Sequence, residues 1–119
     1  ANWQAQGVTV IYRTLRYPRN WPRVKAEEKG IDVKMALDIV TLAIDDDYDV
    51  GVVVSSDTDL RPAIEYVLNS QRLSKTIEVA AWHSNSYRIS LSLPGVRIWC
   101  HRLDRSIYDR LEDNTDYAR

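Results

Sequence analysis

The sequence predicts an α/β protein, a three-layer sandwich whose central sheet is largely parallel. Two observations predict it. Runs rich in β-branched and aromatic residues alternate with segments of helical apolar spacing, in the order strand, helix, strand, helix, strand. The run VGVVVSS (50–56) is also apolar without a polar alternate, as a strand buried on both faces requires.

Each element follows from its own residues. ANWQAQG (1–7) shows neither a targeting pattern nor a strong element and reads as a loose end. VTVIYRTLRY (8–17) predicts a first strand. PRNWPRVKAEEKG (18–30), with two prolines and mixed charge, predicts a loop. IDVKMALDIVTLAI (31–44) has apolar residues at 33, 36, 37, 40 and 44 and predicts a helix. The acidic DDDYD (45–49) leads into the strand at 50–56. RPAIEYVLNSQR (61–72) predicts a second helix and TIEVAAWH (76–83) a second buried strand. SNSYRISLSL (84–93) predicts a short helix that Ser84 or Ser86 can cap, and VRIWCHRL (96–103) a further strand. DRSIYDRLEDNTDYAR (104–119) predicts a closing amphipathic helix, loose from 114 onward.

At 119 residues the chain predicts one domain. A net charge of −1 and a pI of 6.1 exclude attraction to nucleic acid by the whole surface, so such a partner needs a local basic patch. No apolar run approaches the roughly 20 residues that span a bilayer. The single cysteine, Cys100, cannot form an internal disulfide, which fits a reducing, cytoplasmic compartment.

The chemistry concentrates in VVVSSDTDL (52–60). In open α/β sheets ligands bind beyond the carboxyl ends of the strands, and Asp57 and Asp59 lie at such an end. In an extended segment Ser55, Asp57 and Asp59 share one side, with carboxylates roughly 6–7 Å apart. Two carboxylates so placed repel unless a cation intervenes, and hard ions such as Mg²⁺ or Mn²⁺ take oxygen ligands. The structural alternative is that Asp59 caps the helix after it, with Pro62 in the first turn; capping leaves Asp57 unexplained. Asp32, just after Gly30, stands at the start of the helix at 31–44, where the helix dipole alone favours an acid. Asp38 lies about 240° further round that helix and reads as structural. Asp45, Asp46 and Asp47 read as a solvated loop.

Arg13, Arg16, Arg19, Arg23, Lys25 and Lys29 crowd a short span opposed only by Glu27 and Glu28. They are candidate phosphate contacts, and Trp21 in its proline-bracketed loop is a candidate base-stacking residue. The alternatives are a solvated strand edge and a tryptophan packed under its own loop. Trp82 and Trp99 fall in predicted strands and read as core. His83, His101 and Cys100 lack partners at catalytic or metal spacing.

Lys29-Gly30-Ile31-Asp32, then Asp38 inside MALDIV, then YDVGVVVSSDTDLRPAIEYV together resemble the NYN domain, in the LabA-like branch of the PIN-like metal-dependent ribonucleases. Ser55, Asp57 and Asp59 match the family's serine-glycine-aspartate-x-aspartate motif, with Ser56 in place of the glycine. The resemblance covers roughly residues 8 to 103. It implies an endoribonuclease in which Asp32, Asp57 and Asp59 hold Mg²⁺ or Mn²⁺ for attack of water on RNA; beside these acids, Ser55, Lys29, Arg13, Arg16, Arg19 and Trp21 are the candidate RNA contacts. The family opens with a strand ending in a further aspartate, and ANWQAQG contains no acid. The resemblance thus implies a truncated or inactive form, and a sheet that self-association or a separate peptide completes. Two other readings stand beside it: a non-catalytic NYN-like module binding RNA or protein, and a haloacid dehalogenase-type phosphatase, which also places D-x-D after an apolar strand. The latter lacks the residues that usually follow its aspartate pair.

Overall fold

The computed structural model of the chain describes residues 2–84 and 91–113. The chain divides into two compact units, Ala1–Met35 and Ala36–Arg119.

The first unit holds a short helix, α1 (Asn2–Ala5), a long irregular stretch, and the start of α2 (Ile31–Ile44). The strand predicted at 8–17 does not form. Residues 8–15 lie outside any ladder, and only Arg16 makes an isolated antiparallel bridge, with Glu27. β-propensity describes fit to a pleated, half-buried surface. Val8, Ile11, Tyr12, Leu15 and Tyr17 are all exposed, so no such surface receives them here. The loop predicted at 18–30 is a loop, ending at Gly30 with φ +89°, a left-handed conformation glycine adopts without strain.

Helix α2 has the predicted bounds but a different inward face. Ile39 and Ala43, one turn apart, are buried, while Val33, Leu37 and Ile44 are exposed. The Tyr48 hydroxyl donates to the Ile39 carbonyl at 2.8 Å, tying the loop after α2 back onto it. Gly51 makes room for that ring: a Cβ there would stand 3.1 Å from Tyr48 Cε2 and 3.0 Å from Ile77 Cδ1.

The sheet of the second unit is parallel throughout, in the order β1 (Val50–Val54), β2 (Thr76–Trp82), β3 (Cys100–Leu103). Val53 pairs with Val79, and Ala80 with His101. Helix α3 (Arg61–Asn69) packs its stripe of Ala63, Ile64 and Val67 in the core beside β2, whose Ile77, Val79, Ala80 and Ala81 are buried. β2, the central strand, is thus covered as its sequence predicts. β1 is not buried on both faces. It is an edge strand in which Val53 is buried while Val50, Val52 and Val54 are exposed. An apolar run in sequence cannot distinguish a central strand from one with an uncovered face.

Of the helix predicted at 84–93, residues 85–90 lie outside the described ones. Leu91 and Leu93 are buried and not helical, and Leu93 bridges Val96 across a tight turn. β3 begins at Cys100, four residues later than predicted. Trp82 and Trp99 are more than half exposed, contrary to a core role. Trp82 is the last residue of β2 and Trp99 precedes β3, so both sit at ends of a short sheet. Trp82 packs edge-on against Tyr108 of the last helix, α4 (Arg105–Leu111), with ring centroids 6.2 Å apart. Asp104 caps α4 by accepting from Ile107 N–H at 3.1 Å and Ser106 Oγ at 2.8 Å. The Ser106 hydroxyl, and then the Ile107 N–H, hold its carboxyl below the ordinary value. Residues 114–119 lie outside the described ones. No helix among the described residues is long and apolar enough to cross a membrane.

Candidate functional site

The carboxyl end of β1 is built by a chain of side-chain to backbone hydrogen bonds. β1 stops at Val54. Ser55 Oγ accepts the Asp57 N–H at 3.0 Å, and Asp57 Oδ1 accepts the Asp59 N–H at 2.9 Å. These bonds bend the chain into a 3₁₀ turn, Thr58–Leu60, that runs directly into α3. Leu60, 1 % exposed, pins the turn to the core, and Pro62 enters the first turn of α3, where its missing N–H costs little.

Asp57, not Asp59, is therefore the capping residue; Leu60 stands at the N-cap of α3 without a side-chain bond. The cap expected of Asp59 belongs two residues earlier, because the chain is still extended at Asp57 and turns only from Thr58, where the two-residue alternation ends. Asp57 is half-buried with one oxygen engaged. Asp59 is exposed, and among the described residues its carboxylate has no ion pair or hydrogen-bond donor. The donors gathered here, Ser55, Asp57 and Asp59, are all oxygen, the set a hard divalent cation prefers.

Asp32 occupies the exposed first turn of α2, in the first unit, where Glu28 Oε1 accepts the Ile31 N–H at 2.7 Å. Asp57 and Asp59 belong to the second unit. Among the described residues no group of three or more His, Cys, Asp and Glu side chains gathers in a form that could hold a metal ion. Of the acidic run, Asp46 pairs with Lys75, which also reaches Asp49 at 3.4 Å, so this loop is an anchor for the start of β2. A shallow depression of about 420 Å³ on α3, lined by Pro62, Glu65, Tyr66, Asn69 and Ser70, includes neither aspartate.

Two groups escaped the sequence reading. Arg61 Nε is buried without a hydrogen-bond partner among the described residues, although Asp57 stands four residues before it. His101 Nε2 lies 2.6 Å from Glu78 Oε2 on adjacent strands; only the register of β2 with β3 reveals that pair. Arg13, Arg16, Arg19, Arg23, Lys25 and Lys29 are all exposed in the first unit, as is Trp21. Only Lys29 among these cations has an ion pair with a described residue, Glu27 at 4.0 Å.

No curated protein and no solved structure matches the chain. The sequence profile of the NYN domain matches residues 2–91. That span takes in the loop of exposed arginines, the helix bearing Asp32, and the whole turn from Ser55 to Asp59. The chain belongs to the NYN domain family.

Proposed function

We propose that the chain is a metal-dependent endoribonuclease domain that hydrolyses RNA phosphodiester bonds. Membership of the NYN family points to nuclease-like chemistry. The observation that carries the reading further is the presentation of Asp59: an exposed, uncommitted carboxylate at the carboxyl end of a parallel strand, fixed by the Asp57 cap. Asp57 and Asp59 are the carboxylates for Mg²⁺ or Mn²⁺, with Asp32 the third that the family pattern assigns. Mg²⁺ is commonly held by one or two carboxylates together with substrate phosphate, so this pair suffices to begin a site. The bound cation would supply the charge that activates water and stabilises the leaving oxygen. Ser55 fixes Asp57 from below, and Lys29, Arg13, Arg16, Arg19 and Trp21 are the RNA contacts.

A second reading has its own support. Arg13, Arg16, Arg19, Arg23 and Lys25, exposed and without an ion pair to a described residue, support a non-catalytic NYN-like module that binds RNA or protein. Incubating the chain with labelled RNA in Mg²⁺, in Mn²⁺ and in EDTA separates them. Cleavage that needs the metal and is lost in Asp59→Asn and Asp32→Asn supports the nuclease; binding with no cleavage under any condition supports the module.

A further inference from the structure

Arg16 and Glu27 exchange two backbone hydrogen bonds, Arg16 N–H to Glu27 O at 2.8 Å and Glu27 N–H to Arg16 O at 3.0 Å. The bridge pinches residues 17–26 into a closed surface loop whose ends lie side by side. Inside it the Trp21 N–H bonds to Pro18 O at 3.0 Å and the Arg23 N–H to Asn20 O at 2.9 Å, so successive turns fix the backbone. Tyr17 and Trp21 meet edge to face, with centroids 5.6 Å apart and planes at 87°. In that arrangement the ring presenting its edge keeps both faces clear of its partner, and the other ring keeps one.

Aromatic rings of this size normally spend their area in a core. Tyr17 and Trp21 are instead 58 % and 55 % exposed. In the same stretch of sequence Arg13, Arg16, Arg19, Arg23 and Lys25 are exposed, and none forms an ion pair with a described residue. Each cation so left is available to a polyanion. A chain of net charge −1 thus carries, between residues 13 and 25 of the first unit, a run of basic residues interleaved with flat apolar rings.

We propose that this loop is a stacking platform for single-stranded RNA: a base lies on the open face of Trp21 or Tyr17, and the arginines hold the flanking phosphates. The proposal rests on RNA being the ligand, as proposed above, and adds which form of RNA is taken. Stacking needs an open base face. Within an A-form duplex each base face is covered by the next base pair, and away from the ends only edges, sugars and phosphates remain. The platform therefore selects single strands, tolerates any base, and gains little from a duplex beyond charge. An acidic peptide such as polyglutamate could satisfy the arginines but has no aromatic ring to stack on Trp21 or Tyr17.

The test is equilibrium binding by the full chain, in EDTA so that no cleavage intervenes, of a short labelled oligouridylate and of a labelled RNA duplex. Single strands should bind more tightly. Trp21→Ala should weaken that binding by roughly 5- to 150-fold, as loss of one stacked base does. The salt slope of log K should stay unchanged in that variant. Arg19→Ala should instead lower the magnitude of the slope by about 0.7. Trp21→Phe should restore most of the affinity, since any ring stacks; this variant guards against a loop that Trp21→Ala has merely unfolded. Equal affinity for the duplex, or an unaltered Trp21→Ala, overturns the platform while metal-dependent cleavage leaves the nuclease reading standing. If polyglutamate binds with the same dependence on Trp21, the loop is a peptide surface and the proposal fails. A chain that binds no RNA at all overturns both this proposal and the function on which it rests.

Discussion

Asp57 accepts the backbone N–H of Asp59 at 2.9 Å, so one aspartate of the pair sets the direction in which the chain presents the other. Position 57 thereby carries two duties, holding the turn and offering its second oxygen. Position 59 carries only one.

Substitutions separate those duties. Asparagine caps about as well as aspartate, so Asp57→Asn should leave the melting temperature nearly unchanged while abolishing cleavage. Asp57→Ala removes the cap and should cost about 1 kcal/mol in addition. Asp59→Asn touches an exposed side chain without a described partner and should stay within roughly 0.5 kcal/mol of wild type, again with cleavage lost. Thermal melts and a cleavage assay on the three variants check this. Full activity in Asp57→Asn would reduce Asp57 to a capping residue.

Lys75 gives a prediction in pH. Its ammonium donates to Asp46, which holds the Asp46 carboxyl below its ordinary 3.8 and the Lys75 ammonium above its ordinary 10.5. A depressed carboxylate adds stability that is present above 3.8 and is lost as pH falls through the folded value. A raised ammonium adds stability present below 10.5 and lost as pH rises through the folded value. The pair thus contributes across the middle of the range and fades at both ends. Lys75→Met should melt below wild type at neutral pH, with the gap shrinking below 3.8. A gap that ignores pH would instead assign the effect to the covered aliphatic stem of Lys75.

The parts of the fold legible in sequence are those whose signal is local. Helix α2, the strands at β1 and β2 and their parallel connection follow from apolar spacing and from helical segments between strands. Whatever depends on a partner was not legible. The strand expected at 8–17 has the right residues and no ladder to join. Val50, Val52 and Val54 read as doubly buried because an apolar run says nothing about what lies beyond it. In the site, the D-x-D motif announced itself, yet its capping role fell on the wrong member. The chain changes from extended to 3₁₀ turn just after Asp57, so the two aspartates lie on either side of the change. The pairing of Glu78 with His101 required a register, which composition does not encode.

Arg61 bears on the balance between stability and function. Its Nε is buried without a described hydrogen-bond partner, a state that costs about 1–3 kcal/mol relative to a satisfied group. Arg61→Met keeps the long stem and removes the unsatisfied N–H. The variant should therefore be as stable as wild type or more so, by up to about 1 kcal/mol, as denaturant melts would show. A clear loss of stability would mean that the guanidinium makes a contact worth more than its desolvation.

The open side of β1 yields the last prediction. β1 ends the described sheet, so one row of its backbone N–H and C=O groups has no strand beside it, and Val50, Val52 and Val54 are exposed along it. Unpaired edges recruit other strands, and exposed apolar rows add to the pull. In a purified sample another copy of the chain can offer such a strand. Light scattering should accordingly find association that grows with concentration. Val52→Lys should reduce it, since a charged side chain on an edge strand resists pairing. The fold should tolerate the change, because Val52 pairs with Glu78 in the register and a lysine there stands beside an acid. A wild-type chain that stays monomeric at all concentrations would show that this edge is protected as it stands, and Val52→Lys would then alter nothing.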